Sequence, residues 1–260
     1  MTVVVVGASG WLGSAIVSRL PGALAIYGPD DLDEGLAAAG PDSVVINAAG
    51  LARGSAPELQ KANVDLVVRL LDVAGWLVQL GSAAEYGLST PSPVTESTRC
   101  EPSSDYGRSK LEATTAASGS GRATVLRLFN TIDSPPQQGS PIADIWSRIQ
   151  HGVKSGTDIE VLSGGTRRDY VSRAMVADSV VAASRIRPQG VFNVGSGVPV
   201  SVHDIASICA RLMGSKVAVQ DLRQVPATTI FSDPHPWQAL SGCQEQLDAQ
   251  AVARILTNAR

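Results

Sequence analysis

The chain opens on Thr2-Val3-Val4-Val5-Val6, a short apolar run of β-branched residues. An uninterrupted run of this kind suits a strand covered on both faces, as in a parallel sheet, rather than a half-exposed hairpin. It ends at Gly7, where Gly7-Ala8-Ser9-Gly10-Trp11-Leu12-Gly13 begins, and Ser14–Leu20 then reads as a helix stopped by Pro21-Gly22. The alternation repeats. Leu24–Tyr27 and Ser43–Ile46 are strands, the latter followed by Asn47-Ala48-Ala49-Gly50. Pro57–Ala74 carries a helical pattern with Val64, Val67, Val68 and Leu71 on one face. Trp76–Leu80 is a strand, Ser104–Ala117 a helix and Thr124–Leu128 a strand. Strands alternating with helices predict an α/β, doubly wound domain.

After Asn130 the texture changes. Asp133–Pro141 holds three prolines, two glutamines and a glycine and reads as a surface loop. Ile142–Gly152, Met175–Ile186 and Val202–Met213 are helical, with Ser201 placed to cap the last of these. Glu160–Leu162 and Gly190–Val194 are short strands. The stretch from Gln220 onward is broken by prolines and has no clear period. No internal repeat or low-complexity tract is present.

With 260 residues, the chain is long enough for one large domain or one domain with a small appendage. Aromatic residues are only 4%, so the core must be built from Val, Leu, Ile and Ala. The net charge is −3 with no basic block, which argues against a nucleic-acid partner. Cys100, Cys209 and Cys243 are scattered and odd in number, so neither a disulfide framework nor a metal site is expected. No apolar run approaches the roughly 18–20 residues that span a bilayer, and the N-terminus lacks a basic leader. No membrane association and a cytoplasmic location are expected.

Three motifs carry chemistry. Glycines between a strand and a helix permit a tight turn and let backbone approach a pyrophosphate at the helix N-terminus. Here the spacing is GxxGxxG, with Gly7, Gly10 and Gly13 as the glycines. A ribose-binding acid is usual about 20 residues further on. The second strand ends instead in Tyr27-Gly28-Pro29, followed by Asp30 and Asp31. Those aspartates also fit a solvated turn or helix cap, and Arg19 or Arg53 could approach a ribose phosphate, so NAD versus NADP stays open.

The second motif is Tyr106-Gly107-Arg108-Ser109-Lys110, which puts Tyr106 and Lys110 on one helix face. A free phenol titrates near about 10, and an adjacent ammonium favours phenolate. Reaching neutrality takes about three pH units, or about 4 kcal/mol, of which Lys110 is expected to supply part. An exposed Tyr beside a solvated Lys is the plainer reading. The third motif, Gly81-Ser82-Ala83-Ala84-Glu85-Tyr86-Gly87, lies at a strand's carboxyl end, where such sheets bind ligands. Ser82 can donate to a substrate oxygen, or can simply be a turn serine.

Taken together and in this order, the motifs resemble the extended short-chain dehydrogenase/reductases, in particular the NAD-dependent epimerase/dehydratase branch acting on nucleotide sugars. The resemblance spans essentially the whole chain. It implies a Rossmann-type doubly wound sheet (1–130 and 168–197) with a small, partly interleaved C-terminal substrate domain (131–167 and 198–260). It implies Ser82, Tyr106 and Lys110 as the catalytic set, with Lys110 also on the nicotinamide ribose. An NAD(P)H cofactor would meet Gly7, Ser9, Gly10, Trp11, Leu12 and Gly13, then Asp31 and Leu32, then Asn47, Ala48, Ala49 and Asn63, and Tyr106 and Lys110. A nucleotide-sugar substrate would meet Ser82, Ala83, Ala84, Asn130, Arg168 and Arg223, with Arg168 on its diphosphate and Arg223 near the nucleotide. Arg168 could instead pair with Asp169 on the surface. A homodimer through the helices starting near Pro57 and Ser104 is a further family expectation.

Ala83 and Ala84 occupy the two sites where dehydratases carry acid–base side chains, and methyl groups cannot transfer protons. Strand alternation would turn Glu85 away from Ser82, leaving it structural or a support for Tyr86. GSAAEYG, Arg127-Leu128-Phe129-Asn130 and Ser232-Asp233-Pro234 look most like the 4-keto-6-deoxyhexose reductases. The expectation is therefore reduction of a nucleotide-linked 4-keto-6-deoxyhexose. A nucleotide-sugar 4-epimerase, a reductase of a non-sugar carbonyl, and a binding protein without turnover are the alternatives.

Overall fold

A computed structural model describes residues 2–88, 90 and 92–258. The elements in order are β1 (Val3–Val6), α1 (Trp11–Arg19), β2 (Leu24–Ile26), α2 (Leu32–Leu36), β3 (Val44–Asn47), α3 (Ala56–Leu59), α4 (Leu66–Val73), β4 (Trp76–Ser82), α5 (Asp105–Gly119), β5 (Ala123–Leu128), β6 (Asn130–Ile132), α6 (Pro141–Ser155), β7 (Ile159–Val161), β8 (Arg167–Arg168), β9 (Tyr170–Ser172), α7 (Arg173–Ile186), β10 (Gly190–Val194), β11 (Val200–Ser201), α8 (Val202–Leu212), β12 (Val219–Asp221), β13 (Thr229–Ile230), α9 (His235–Ser241) and α10 (Ala249–Thr257).

Six strands form one sheet in the order β10-β5-β4-β3-β1-β2, every pairing parallel. The apolar strands explain this. Val5 faces a core shared with Ile16 of α1 and Val176 and Val180 of α7. Val4 and Val6, pointing the other way, join Leu36 of α2, Leu70 of α4 and Ala113 of α5. Both faces are covered, so a strand needs no polar side. The strand order reverses between β1 and β3, and a crevice opens there at the carboxyl ends.

The helix expected over Pro57–Ala74 is not regular. A π-helical turn, Gln60–Asp65, joins α3 to α4. The wider turn resets the buried face, so Leu59, Asn63, Val64, Val67 and Leu70 point inward while Val68 is exposed. The simple 3.6-residue period misplaced Val68 for this reason.

A second core lies beyond the sheet. Ile142 and Ile149 of α6, Ile205 and Cys209 of α8, and Val252 and Leu256 of α10 pack around Ile159 and Tyr170. Short strand pairs accompany it: β6 with β9, β7 with β12, and β8 between β11 and β13. Asp169 ties these pieces to the sheet. Its fully buried carboxylate accepts from Ser196 N (2.8 Å) and Oγ (2.7 Å), Gly197 N (3.1 Å), and Ser232 N (3.0 Å) and Oγ (2.5 Å). The salt bridge that Arg168 could have made with Asp169 is therefore absent among the described residues.

Candidate active site

The glycine loop closes against β3. Gly7 adopts φ +79°, and a Cβ there would stand 2.7 Å from Ala49 N. A Cβ on Gly13 would stand 2.0 Å from the Gly7 carbonyl oxygen. Only glycine lets strand, loop and helix approach this closely. Gly10, extended, caps α1, and the first-turn N–H groups of the helix have no acceptor within it. That is the cradle a pyrophosphate needs. Helix α1 begins three residues earlier than the expected Ser14 because the loop itself supplies the first turn.

Ser9 donates its hydroxyl to the Tyr27 carbonyl (2.6 Å), pinning the loop to the end of β2. Tyr27 is exposed there, in the place of the usual acid. Asp31 is exposed at the start of α2 without a capping bond, and Leu32 is buried. Neither arginine weighed for a ribose phosphate is uncommitted. Arg19 pairs with Asp178 at 2.5 Å, and Arg53 donates to the Gly139 carbonyl at 2.6 Å. Arg173, which local sequence pattern does not mark, fastens the loop from α7. Its Nε donates to the Trp11 carbonyl and its Nη2 to the Ser14 hydroxyl, both at 2.7 Å, with the guanidinium 5.1 Å from the Trp11 ring centre.

At the carboxyl ends of β3, β4 and β5 lies a cleft of about 190 Å³. Leu12, Ala48, Ala49, Asn63, Ser82, Tyr106 and Lys110 all line it. Residues from five separate parts of the chain thus converge on one cleft. Thr131 of β6 and Gln137, from the loop that follows it, complete the wall. A larger cavity, about 660 Å³, lies beyond β10 around Phe231–His235 and shares no residue with this one.

Asn63 reaches the cleft through the π-turn. Its Oδ1 accepts from Leu51 N (2.8 Å), and its Nδ2 donates to the Leu51 carbonyl (2.9 Å). Asn47 does not line the cleft. It is buried, donates to Gln79 Oε1 (2.8 Å) and accepts from Ala49 N (3.1 Å), so it shapes the Ala48–Ala49 turn from behind.

Tyr106 and Lys110 sit on α5, capped by Ser104. Lys110 is buried and donates from Nζ to the Leu80 carbonyl at 2.5 Å. Burial pulls its titration down to about 8, against the raising field of the Glu85 carboxylate. Tyr106 shifts upward, not downward. Burial raises it, a hydrogen bond with Ser82 lowers it, and Glu85 raises it again. The acidification expected from Lys110 is thus not present in this state, because the ammonium is directed at the Leu80 carbonyl. Burial here favours the neutral phenol.

Glu85 also departs from expectation. The strand ends at Ser82 and the chain turns into a 3₁₀ turn, Ala83–Glu85, so strand alternation no longer applies. The carboxylate comes back to accept the Ser82 N–H at 2.8 Å. Its other oxygen accepts from Arg127 Nε at 2.7 Å, a charge pair buried within β5. The sequence names Arg127 only within the Arg127–Asn130 string, and its pairing with Glu85, 42 positions away, leaves no local signal.

The remaining substrate candidates lie outside the cleft wall. Ala83 and Ala84 form the turn behind Ser82. Asn130, between the cleft residues Phe129 and Thr131, donates from Nδ2 to the Asp169 carbonyl (2.9 Å). Arg168 donates from Nη1 to the Arg167 and Thr228 carbonyls (both 2.8 Å) and from Nη2 to Thr228 Oγ1 (2.7 Å). Arg223 is exposed in a left-handed turn, φ +50°. Among the described residues, no group of three or more His, Cys, Asp or Glu side chains could hold a metal, and no helix is long and apolar enough to cross a membrane.

A parallel sheet with its glycine loop at the switch point and a Ser, Tyr and Lys converging beside it defines a dinucleotide-binding fold of the extended short-chain dehydrogenase/reductase type. Residues 23–195 match the model of the NAD dependent epimerase/dehydratase family, and the chain belongs to that family. Its curated relatives include the putative UDP-arabinose 4-epimerase 2 of Arabidopsis thaliana, 28% identical over 61% of this chain and 44% of the relative. They also include the UDP-glucose 4-epimerase of Streptococcus mutans, 26% identical over 74% of this chain and 66% of the relative. The chain thus spans less than half the length of the plant relative. Among solved structures, RMD from Pseudomonas aeruginosa, complexed with NADPH, superposes with a TM-score of 0.83 at 19% identity, covering 99% of this chain and 98% of the other. MoeE5 in complex with UDP-glucose and NAD gives 0.82 at 22% identity, with the same coverage. These superpositions show a shared fold.

Proposed function

We propose that the chain is an NAD(P)-dependent nucleotide-sugar 4-epimerase, acting on a UDP-linked sugar. The observation that carries this reading is the convergence of Ser82, Tyr106 and Lys110 on one cleft at the end of the glycine-loop crevice. The curated relatives move the reading from the net reduction expected from sequence to epimerisation, because they are named as UDP-sugar 4-epimerases. Gly7–Gly13 would hold the pyrophosphate of the dinucleotide, and Ala48, Ala49, Asn63 and Lys110 its nicotinamide half. When bound, that group would supply a hydride acceptor and donor and, in its oxidised form, a positive charge beside Tyr106.

Tyr106 would take the proton from the sugar C4 hydroxyl and later return it to the C4 oxygen. The positive charge of an oxidised nicotinamide bound beside Tyr106 would favour phenolate, against the burial that raises it. Ser82 donates to the C4 oxygen and shares its developing charge. Lys110 stays an ammonium below about pH 8 and orients the ribose. The diphosphate is assigned to the side of the cleft beyond Thr131, where Asn130 and Arg168 flank Asp169. The bonds to Thr228 make Arg168 a fixed cation, and a fixed cation loses little freedom on binding phosphate. Ala83 and Ala84 leave no side chain to expel water, so dehydration is not supported.

The test is a substrate panel with purified protein. UDP-glucose, UDP-galactose, UDP-xylose and UDP-arabinose are incubated with catalytic NAD, and products are resolved by chromatography while absorbance of the reduced cofactor is followed. Interconversion of C4 epimers without net cofactor change is expected. Stoichiometric consumption of NADH or NADPH with a 4-keto-6-deoxy nucleotide sugar, and no epimerisation, would return the reading to a reductase.

A further inference from the structure

Among the described residues, Glu85 is the carboxylate that meets Ser82 and whose field reaches Tyr106 and Lys110, and it is completely buried. Its Oε1 accepts from Ser82 N at the end of β4 and from Thr114 Oγ1 (3.0 Å) on α5. Thr114 lies one turn beyond Lys110 on the same helix. A single oxygen therefore joins the strand end that carries Ser82 to the helix that carries Tyr106 and Lys110. Gly81 leaves room for it, since a Cβ there would stand 2.8 Å from Glu85 Oε1. The second oxygen is held by Arg127, whose Nη1 also donates to Tyr86 Oη (3.1 Å). Tyr86 in turn donates to Asn193 Oδ1 (2.7 Å), so the carboxylate is fixed from β5 and β10 as well.

Such a pair is costly to bury, and well-packed apolar side chains of similar volume are often as stable. Stability alone does not account for placing it behind Ser82. We propose that Glu85 is a positioning residue: its carboxylate sets the spacing of Ser82 from Tyr106 and fixes a negative charge at Thr114, one helical turn from Lys110. This rests on the reading of Ser82, Tyr106 and Lys110 as the acid–base set. The charged or titratable groups around Glu85 are Arg127 from β5, Tyr106 and Lys110 from α5, Tyr86 beside it, and Cys100 from the loop before α5. Glu85 is the one acid among them. Its field opposes the burial that pulls Lys110 down.

The experiment uses the full chain of Glu85→Gln, without substrate or cofactor, labelled with ¹³C at the lysine ε-carbons. The chain has four lysines, Lys61, Lys110, Lys154 and Lys216, so the Lys110 signal is identified by its loss in Lys110→Arg. The Lys110 midpoint is expected to fall by about one pH unit or more when the carboxylate is neutralised. With substrate, kcat should fall about tenfold or more and its alkaline limb should move down with Lys110, as for a general acid–base group displaced from its place. A folded Glu85→Gln protein with the wild-type Lys110 midpoint and pH–rate profile overturns the proposal. Should Arg127 left unpaired prevent folding, Glu85→Gln/Arg127→Met removes both charges, and the same fall in the Lys110 midpoint is required. The titration needs no turnover. A wild-type chain inert toward every UDP-sugar would sink the epimerase reading while the lysine comparison still decides the role of Glu85.

Discussion

Asn63 donates from Nδ2 to the Ser109 hydroxyl at 2.9 Å, bonding the π-turn to the helix that carries Tyr106 and Lys110. The same side chain holds both polar groups of Leu51, in the loop after β3. One amide thus sets the loop on one side of the cleft against the helix on the other. Asn63→Leu removes three hydrogen bonds, the buried one to Ser109 and the part-buried two to Leu51, and a buried partner left unsatisfied costs about 1–3 kcal/mol. Urea denaturation should show a loss of a few kcal/mol, and NAD affinity should fall with it. Unchanged stability and affinity would mean that the π-turn is incidental.

Tyr106→Phe keeps the ring and loses the proton. Turnover should fall by about 10²–10⁴, the usual worth of a positioned acid–base group, while cofactor affinity changes only a few-fold. Fluorescence titration with NADH separates the two quantities. Full activity in this variant would remove Tyr106 from the chemistry.

Lys110 makes the reaction and the stability respond to pH in opposite senses. Its titration is lowered to about 8 from an ordinary 10.5. Below about 8 it is charged in both folded and unfolded chains, and burying the charge costs stability. Between about 8 and 10.5 the unfolded chain holds the proton and the folded chain does not, so this contribution to stability rises with pH. Activity, which needs the ammonium, should decline above about pH 8. Denaturation at pH 7 and 9.5 in wild type and Lys110→Met checks the sign, since the methionine variant lacks this contribution.

Arg168 has two duties that one variant can separate. Arg168→Ala should lower the melting temperature, because the Thr228 carbonyl and hydroxyl lose their donor, at about 0.5–1.5 kcal/mol per bond. It should also raise KM for a UDP-sugar about tenfold or more with a smaller change in kcat, since a diphosphate remote from C4 loses a charge-assisted contact. A lower melting temperature with unchanged UDP affinity would leave Arg168 purely structural.

The sequence by itself determined the sheet and the crevice. Val3–Val6 and Val44–Ile46 are apolar throughout, and Ala123–Leu128 is broken only by Thr124 and Arg127, a pattern that suits a parallel sheet covered on both faces. GxxGxxG and YxxxK are contiguous, so their spacing already fixes a loop and a helix face. Short strands such as β8, β11 and β13, two residues each, carry no period of their own and are defined by their partners. The tertiary structure alone decided the electrostatics. The Glu85–Arg127 pair joins residues 42 positions apart, and only the folded chain shows that Lys110 points at the Leu80 carbonyl and that Tyr106 is raised. Burial and charge depend on what surrounds a side chain in space, and local sequence carries no record of that.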